Sequence, residues 1–513
     1  MPEISLSGGE FRTRFELAST WLPAFVAGLL PILFLPVAVD SFILPRAGLA
    51  LVGGAGVFGA GLVWGRGRLG ALGLPAAATA AAAVLAGLLS LAPNLSLVGA
   101  YGRYESAPMR LAYLGLLCGA AWLGERRRLV TAFLLGCGLA STEAIAQALL
   151  GALPRPDGNL GQPNLLGGLL AMALPLAVHR GLTEAEGGTS GRIGNRPWLV
   201  LAGLLAAGLV VSASRSGWLA ALAGLAVLAA MLAPGRFRWT VAAVGGVLLV
   251  AVALLLLLSP LRQLNQDTGS ARLGVWRDSL SVVAARPLVG WGEDTLGLVF
   301  GRYQTRDWEP GDSFDRAHSL PLDLAAAQGF LGLAACTWLF VTWWWGVLRR
   351  PELLGFAGAA AAYLAWAMLN FDWAPVTAAF WLLAGAAWPG RDDRVQRAIV
   401  WRGALAAGAL VAALSLAVPA LLADIHFYGG RPAQAAVADP LQPRYRAAAG
   451  GLDNLRAAAR LNDPRPDVYT SLGDAEAAAG HLQAAGNAYR RALELYPFYT
   501  EARRKLALAA ASR

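Results

Sequence analysis

Apolar runs about as long as a bilayer is thick recur along most of this chain, and they limit what it can fold into more than any other feature. A helix needs roughly 20 apolar residues to cross the hydrocarbon core, with a working range of about 17 to 25. By that measure there are about thirteen candidate spans, at 21–39, 46–64, 72–93, 108–123, 129–150, 164–180, 198–212, 216–233, 239–259, 319–347, 352–370, 372–388 and 398–422. With 57% hydrophobic and 14% charged residues, the balance is that of an integral membrane protein. The expected fold is all-α: a polytopic helical membrane protein of about 12–13 spans. The formal charge of +10 is spread in ones, twos and threes between apolar runs, which sets topology and argues against nucleic-acid binding. Cys118, Cys137 and Cys336 all fall inside apolar runs, where they pack and make neither a disulfide framework nor a metal cluster.

The connections alternate in character. One set carries Arg66 and Arg68, Arg126 to Arg128, Arg180, Arg192 and Arg196, Arg236 and Arg238, Arg349 and Arg350, then Arg391, Arg394 and Arg397. The positive-inside rule assigns this set to the cytoplasm. Residues 1–20, with acids among the arginines and no small-residue cleavage site, read as an uncleaved cytoplasmic start. Trp343 to Trp345, followed by Arg349 and Arg350, read as an inner interfacial belt with its basic anchor. The opposite compartment then receives the loop at 101–105, the loop at 151–164, the turn at 212–217, a long polar insert at 260–318 and the C-terminal tail.

A polar insert carried by so many apolar helices is where chemistry is expected. It ends in Asp315-Arg316-Ala317-His318-Ser319, just before an apolar helix. A histidine there, with Asp315 and Asp323 nearby, is a candidate general base. Arg215 lies in the tight turn Ser212-Ala213-Ser214-Arg215-Ser216-Gly217, on the side where positive charge is disfavoured. A guanidinium among hydroxyls and a permissive glycine suits a phosphate, which it grips with parallel hydrogen bonds. Arg272 and Arg277 sit near the start of an amphipathic stretch whose Leu273, Trp276, Leu280 and Val283 predict a helix along the membrane surface. Gly161-Gln162-Pro163-Asn164 is a rigid turn into a helix, its Asn a cap or a sugar ligand. Glu143, with Gln147 one turn on, is the one clear intramembrane acid in the sequence pattern. Asp312, Asp315 and His318 are spaced by threes, but nothing supplies the further oxygens of a calcium or magnesium site, so no metal is expected.

After about residue 423, alternating charge and alanine mark a small helical domain. Tyr469, Leu472, Gly473, Gly480, Ala485, Tyr489, Ala492 and Pro497 fall at the spacing of the 34-residue tetratricopeptide pattern. The expected organisation is a cytoplasmic start (1–20), a membrane domain (21–422) containing the 260–318 loop, and an extracytoplasmic tetratricopeptide-like domain (423–513).

From about Asp40 to Pro389 the chain resembles the O-antigen ligase and polymerase family of bacterial polytopic glycosyltransferases. The resemblance is carried by Asp40-Ser41-Phe42-Ile43-Leu44-Pro45-Arg46, Gly161-Gln162-Pro163-Asn164, Ser214-Arg215-Ser216-Gly217-Trp218, Arg272 with Trp276, Pro287-Leu288-Val289-Gly290-Trp291-Gly292, and His318 with Leu322, Asp323, Gly329 and Gly332. It implies a metal-independent, cofactor-free, inverting transfer of a glycan from undecaprenyl diphosphate to an acceptor hydroxyl, at the outer face of the bacterial inner membrane. Arginines matching Arg215 and Arg272, with Arg277 beside them, would hold the diphosphate, and a histidine matching His318 would activate the acceptor. Arg103, Gln162, Asn164, Ser214 and Asp323 are candidate contacts to glycan or acceptor. Ser319 departs from the Asn that the family often has there.

Three acceptors stay open: lipid A core, a second lipid-linked repeat unit, or a Ser/Thr of a protein, with the tail a candidate partner-binding module. A transporter of the lipid-linked glycan is the alternative from another class. It would be expected to show charged groups at mid-membrane and internal pseudo-symmetry.

Overall fold

The computed structural model describes residues 20–183, 196–258, 269–311, 313–388 and 399–511. Described residues form helices, turns and loops, with seven helices long and apolar enough to cross a membrane. These are Ile43–Trp64, Gly70–Leu88, Arg126–Leu149, Pro163–Thr183, Arg215–Leu232, Leu320–Val347 and Trp401–Tyr428. The remaining expected spans appear as shorter apolar helices, among them Thr20–Leu29, Ala107–Leu123, Arg196–Val211 and Ala374–Ala387. The chain is a polytopic helical membrane protein. Most of the expected cytoplasmic start, and the loops carrying Arg192 and Arg391 to Arg397, lie outside the described residues.

Pro163–Thr183 is the most deeply buried of the long helices. It is walled by Arg126–Leu149, Arg196–Val211, Arg215–Leu232 and Leu354–Ala367. Lipid tails are as apolar as leucine, so helices in a bilayer gain by close backbone approach at small residues. Gly167 and Gly217 meet in this way: a Cβ on Gly167 would stand 2.6 Å from the Ser214 Oγ and one on Gly217 only 2.7 Å from the Gly167 Cα. That contact fixes the start of the Arg215–Leu232 helix against the start of Pro163–Thr183.

At the same end, Arg46 is fully buried and spent on carbonyls. Its Nε donates to Leu30 O (2.8 Å), and its Nη atoms donate to Phe42 O (2.8 Å) and Asn159 O (2.9 Å). The Asp40 to Arg46 motif is therefore a clasp for three loop ends. At the other end of the helices, Arg66, Arg126 and Arg350, from three of the basic loops, share a cavity of about 440 Å³ with Glu125. The Trp343–Trp345 reading needs correction. Trp343 is buried and donates from Nε1 to Ala384 O (2.8 Å), while Trp345 is exposed with Arg349 stacked on it. An aromatic one position away on a helix points about 100° elsewhere, so three in a row cannot all face lipid.

The Leu320–Val347 helix is broken at Gly329, whose φ of 66° and ψ of −167° are not helical. The turn Pro287 to Gly292 fills the break backbone to backbone. Trp291 N and Gly292 N donate to Ala326 O and Ala327 O (2.8 and 2.9 Å), and Phe330 N donates to Pro287 O (2.7 Å). A carbonyl ladder opened by a glycine is thus closed again by another part of the polar insert.

The insert holds the expected amphipathic helix, Gly269–Ala285. Its burial differs from the sequence pattern: Leu273 and Leu280 stay exposed, while Val275, Asp278 and Val282 are buried. The buried side packs on Leu320–Val347 and on the short turn of helix at 300–302. The tail helix Leu482–Leu495 in turn covers that short helix, so Val275, Val282 and Phe300 belong to one core with Tyr469, Ala492, Leu495 and Ala502. Helix Ile399–Tyr428 runs on past position 422 and ends at the Gly429-Gly430 turn, Gly430 having a φ of 68°. The tail then forms short helices, in which Pro466–Ala478 and Leu482–Leu495 pack as a hairpin with Tyr489 lying on Gly473.

Candidate active site

Among the described residues six other than glycine have positive φ, Tyr104 (57°), Asn159 (63°), Ala213 (49°), Asp294 (56°), His318 (53°) and Asn462 (55°), and they gather at the end of the molecule opposite the basic loops. Each such backbone costs roughly 1–3 kcal/mol and persists where surrounding contacts over-determine it, which happens most at sites of function. At His318 the surroundings are explicit. Asp323 Oδ1 accepts from Ala317 N (2.8 Å), and Asp323 N donates to Ser319 O (2.9 Å), pinning the turn that aims the imidazole. The ring meets the edge of Phe371 at 5.2 Å.

Phe371 lies in the short turn between Leu354–Ala367 and Ala374–Ala387, and the other candidates converge on that turn. Arg272 donates from Nη1 to Leu369 O (2.8 Å). Trp366, one turn earlier, donates from Nε1 to Asn164 O (2.9 Å), and Asn164 Oδ1 accepts from Ser214 Oγ (2.9 Å). Ser214 in turn caps the helix that Arg215 begins, its Oγ accepting from Gly217 N (3.2 Å). Asn164 is thus a link to Ser214, and Gln162 begins the Pro163–Thr183 helix with its backbone carbonyl, which accepts from Leu165 N (3.1 Å). Arg103 stacks on Phe371 and Trp373 at 4.8 and 4.9 Å and makes a forked ion pair with Asp315 (2.6 and 3.0 Å). Burial pushes the Asp315 carboxyl upward, but the Arg103 guanidinium outweighs it and holds the group below the usual carboxylate range.

Arg277 departs from the expectation. It is bound into the insert itself, with Nη2 donating to Asp278 Oδ1 (3.1 Å) and to Thr305 Oγ1 and its guanidinium over Trp308. Five residues on a helix turn it well away from Arg272. Buried Asp278 is the hub there, accepting from Thr305 N (2.9 Å) and Trp308 Nε1 (2.7 Å). Asp312, considered with Asp315 and His318, lies outside the described residues.

Sequence reasoning missed Arg155. It sits beside Arg215, donates to Ala213 O (3.4 Å) and has a buried Nε without a hydrogen-bond partner. Burial lowers its pKa and the neighbouring Arg215 lowers it further, so the two guanidinium groups feel one another's charge. Two arginines close to polar turns at the same end of neighbouring helices, Arg155 in the loop and Arg215 at the helix start, were the available signal.

A larger miss is a buried charge cluster beneath the site. Arg110 lies between Glu293 (3.3 Å), Asp372 and Glu105 (3.7 Å). Tyr113 Oη donates to Glu105 (2.6 Å), Tyr363 Oη to Asp372 (2.7 Å) and Gln328 Nε2 to Glu293 (2.5 Å). The next acid, Asp294, pairs with Arg316 and accepts from Ala100 N (2.7 Å) and Glu105 N (3.0 Å). Glu143 is therefore not alone as an acid within the apolar helices, since Asp372 and Asp323 are buried at helix starts. Gln147, one turn from Glu143, accepts from Asp157 N (3.0 Å) and Gly158 N (3.1 Å) and so holds the loop carrying Arg155.

Comparison with known proteins gives one match to a family model: residues 200–337 match the family described as O-antigen ligase. The matched segment contains Ser214, Arg215, Arg272, the Pro287 to Gly292 turn, His318, Asp323 and Gly329. No curated protein matches the chain.

Proposed function

We propose that this chain, which carries an O-antigen ligase domain over residues 200–337 and so belongs with the glycosyl-transferring ligases and polymerases of that family, moves a glycan from a polyprenyl diphosphate to an acceptor hydroxyl. The observation that carries the reading is the shared turn at 366–373. It joins a strained histidine through Phe371, one arginine through Leu369 O, and a second arginine's helix cap through Trp366, Asn164 and Ser214. A general base and two anion-binding groups thereby belong to one rigid frame, which is what a displacement with a charged leaving group requires.

In the reaction, His318 takes the proton of the acceptor hydroxyl as its oxygen attacks the anomeric carbon. The bond from that carbon to the diphosphate oxygen breaks, and the leaving group keeps the electron pair. Its growing charge is met by Arg215 and Arg272, with Arg155 beside Arg215, through fixed guanidinium groups that need no reorganisation. Attack from the face away from the diphosphate inverts the anomeric configuration. By the distribution of arginines this chemistry faces the outer side of the cytoplasmic membrane, and undecaprenyl diphosphate is the carrier we read for it. The lipid reaches the site sideways between helices. We read the tail as tetratricopeptide-like, packed on the insert and near the acceptor's path.

The test is donor cleavage by purified protein in liposomes holding undecaprenyl diphosphate-linked glycan. Lipid A core, a second glycan-lipid and a Ser/Thr-rich peptide are offered separately. Release of lipid diphosphate that needs His318 supports the reading, and the productive acceptor names the subclass. Passage of uncleaved glycan across the bilayer, equal in wild type and His318→Ala, overturns it in favour of transport.

A further inference from the structure

His318 also borders a cavity of about 400 Å³ that is walled on one side by the C-terminal helices. Neither Arg215 nor Arg272 lines it, so it is separate from the diphosphate groups. Its lining includes four arginines, of which three are matched by carboxylates. Arg103 pairs with Asp315 (2.6 Å), Arg316 with Asp294, and Arg465 with Asp463 (2.6 Å). The fourth is Arg444, which no carboxylate among the described residues pairs with. Its guanidinium lies over the rings of Tyr101 and Phe427 at 5.5 and 5.8 Å, and its Nε is buried without a hydrogen-bond partner. Glu309, the remaining carboxylate of the lining, is exposed at the rim.

Two aromatic rings in reach of one guanidinium favour its charged form and restrict where it can lie. Half-buried on the wall of a cavity, and paired with no carboxylate among the described residues, it is placed to receive a planar or tetrahedral anion. The Tyr101 hydroxyl is fixed by donating to Asp424 (2.7 Å), which also receives Tyr445 Oη (3.2 Å), so this wall is braced from both the membrane helices and the tail. Gln442 adds a second brace, its Nε2 donating to Gly99 O (3.1 Å).

We propose that this cavity is the acceptor subsite and that Arg444 holds a negatively charged group, a phosphate or a carboxylate, on the acceptor saccharide. The inference rests on the reading of His318 as the base. It gives the C-terminal helices a direct part in choosing the acceptor: an acidic saccharide bound at Arg444 would present its hydroxyl to His318 on the same cavity wall.

The test is equilibrium binding to the full-length protein in detergent of glucose 6-phosphate, glucuronate and neutral glucose, in wild type, Arg444→Met and Arg444→Lys. Methionine keeps the apolar stem beside the rings, and each variant's melting temperature is recorded. The expected result is that one or both acidic sugars bind wild type at least about tenfold more tightly than glucose, that methionine removes the difference and that lysine keeps part of it. Which acid binds tells phosphate from carboxylate. Equal binding of acidic and neutral sugars, or a preference that survives in Arg444→Met, overturns the inference. So does inorganic pyrophosphate binding that is lost in Arg444→Met but kept in Arg215→Gln, because the cavity would then serve the leaving group. Donor cleavage persisting in His318→Ala overturns the parent reading instead, and binding failures confined to Arg444 leave that reading standing.

Discussion

Replacing Gly329 with alanine asks the chain for two things it resists. The first is conformational: φ of 66° with ψ of −167° is a region open essentially to glycine alone, and an alanine there costs roughly 1–3 kcal/mol. The second is steric. A Cβ would stand 2.3 Å from both the C and O of Leu288 and 2.5 Å from Val289 N, all of them backbone atoms that cannot rotate aside. Relief requires the Pro287 to Gly292 turn to back away, which breaks the bonds of Trp291 N, Gly292 N and Phe330 N to their carbonyls. At about 1 kcal/mol net for each, that adds some 3 kcal/mol, so the whole change is expected to cost about 4–6 kcal/mol. Gly203 provides the control. It is helical and an added Cβ meets nothing within 4 Å, so Gly203→Ala should hold or slightly raise stability. The assay is unfolding of both variants in one detergent, together with limited proteolysis of the insert. A Gly329→Ala protein that melts with wild type and resists protease equally would refute the argument that this turn and the broken helix hold one another.

Other expectations follow from the same geometry. Arg272→Ala should reduce transfer by about 100-fold or more, as loss of a fixed donor to developing charge does, while Arg277→Ala should change it only a few-fold. Comparable losses in a side-by-side assay would put Arg277 back among the diphosphate ligands. Glu105 is buried, and desolvation pushes its carboxyl up to about 7 despite Arg110. A folded pKa above the unfolded value means that the folded state binds the extra proton. Stability from this group is therefore present below about 4.5 and lost as pH rises to about 7, at ~1.4 kcal/mol per unit of displacement. Glu105→Gln should flatten the unfolding free energy over that window, and an unchanged slope would show that the displacement is not there.

The spans were legible in the sequence because a bilayer imposes a length that a single run of residues can display. Seven of the runs became helices long and apolar enough to cross, such as Ile43–Trp64 and Pro163–Thr183, while the run expected at 21–39 is helical only over Thr20–Leu29. The amphipathic helix in the insert was legible too, but its buried side was not. Val275, Asp278 and Val282 are covered by the Leu320–Val347 helix and by later parts of the insert, Thr305 and Trp308 closing over Asp278, and local periodicity carries no knowledge of those partners. The same limit explains the Arg110 cluster. Glu105, Arg110, Glu293 and Asp372 come from three distant stretches, and each alone looks like a charge at the edge of an apolar run. Arg110 inside the run at 108–123 was the legible warning, since an arginine there needs a partner. His318, Arg215 and Arg272 stood out because their neighbours in sequence are unusual, whereas Arg155 and Arg444 matter only through neighbours in space.

The central claim, transfer chemistry at His318, is tested most directly by release of undecaprenyl diphosphate from a glycan-lipid donor in liposomes, comparing wild type with His318→Ala while lipid binding is measured in parallel. The account predicts release by wild type in the presence of the right acceptor. In the variant it predicts a loss of about 100- to 10,000-fold, the range that general base catalysis supplies, with binding of the donor retained. Undiminished release by His318→Ala, or glycan crossing the bilayer still attached to its carrier, would contradict it.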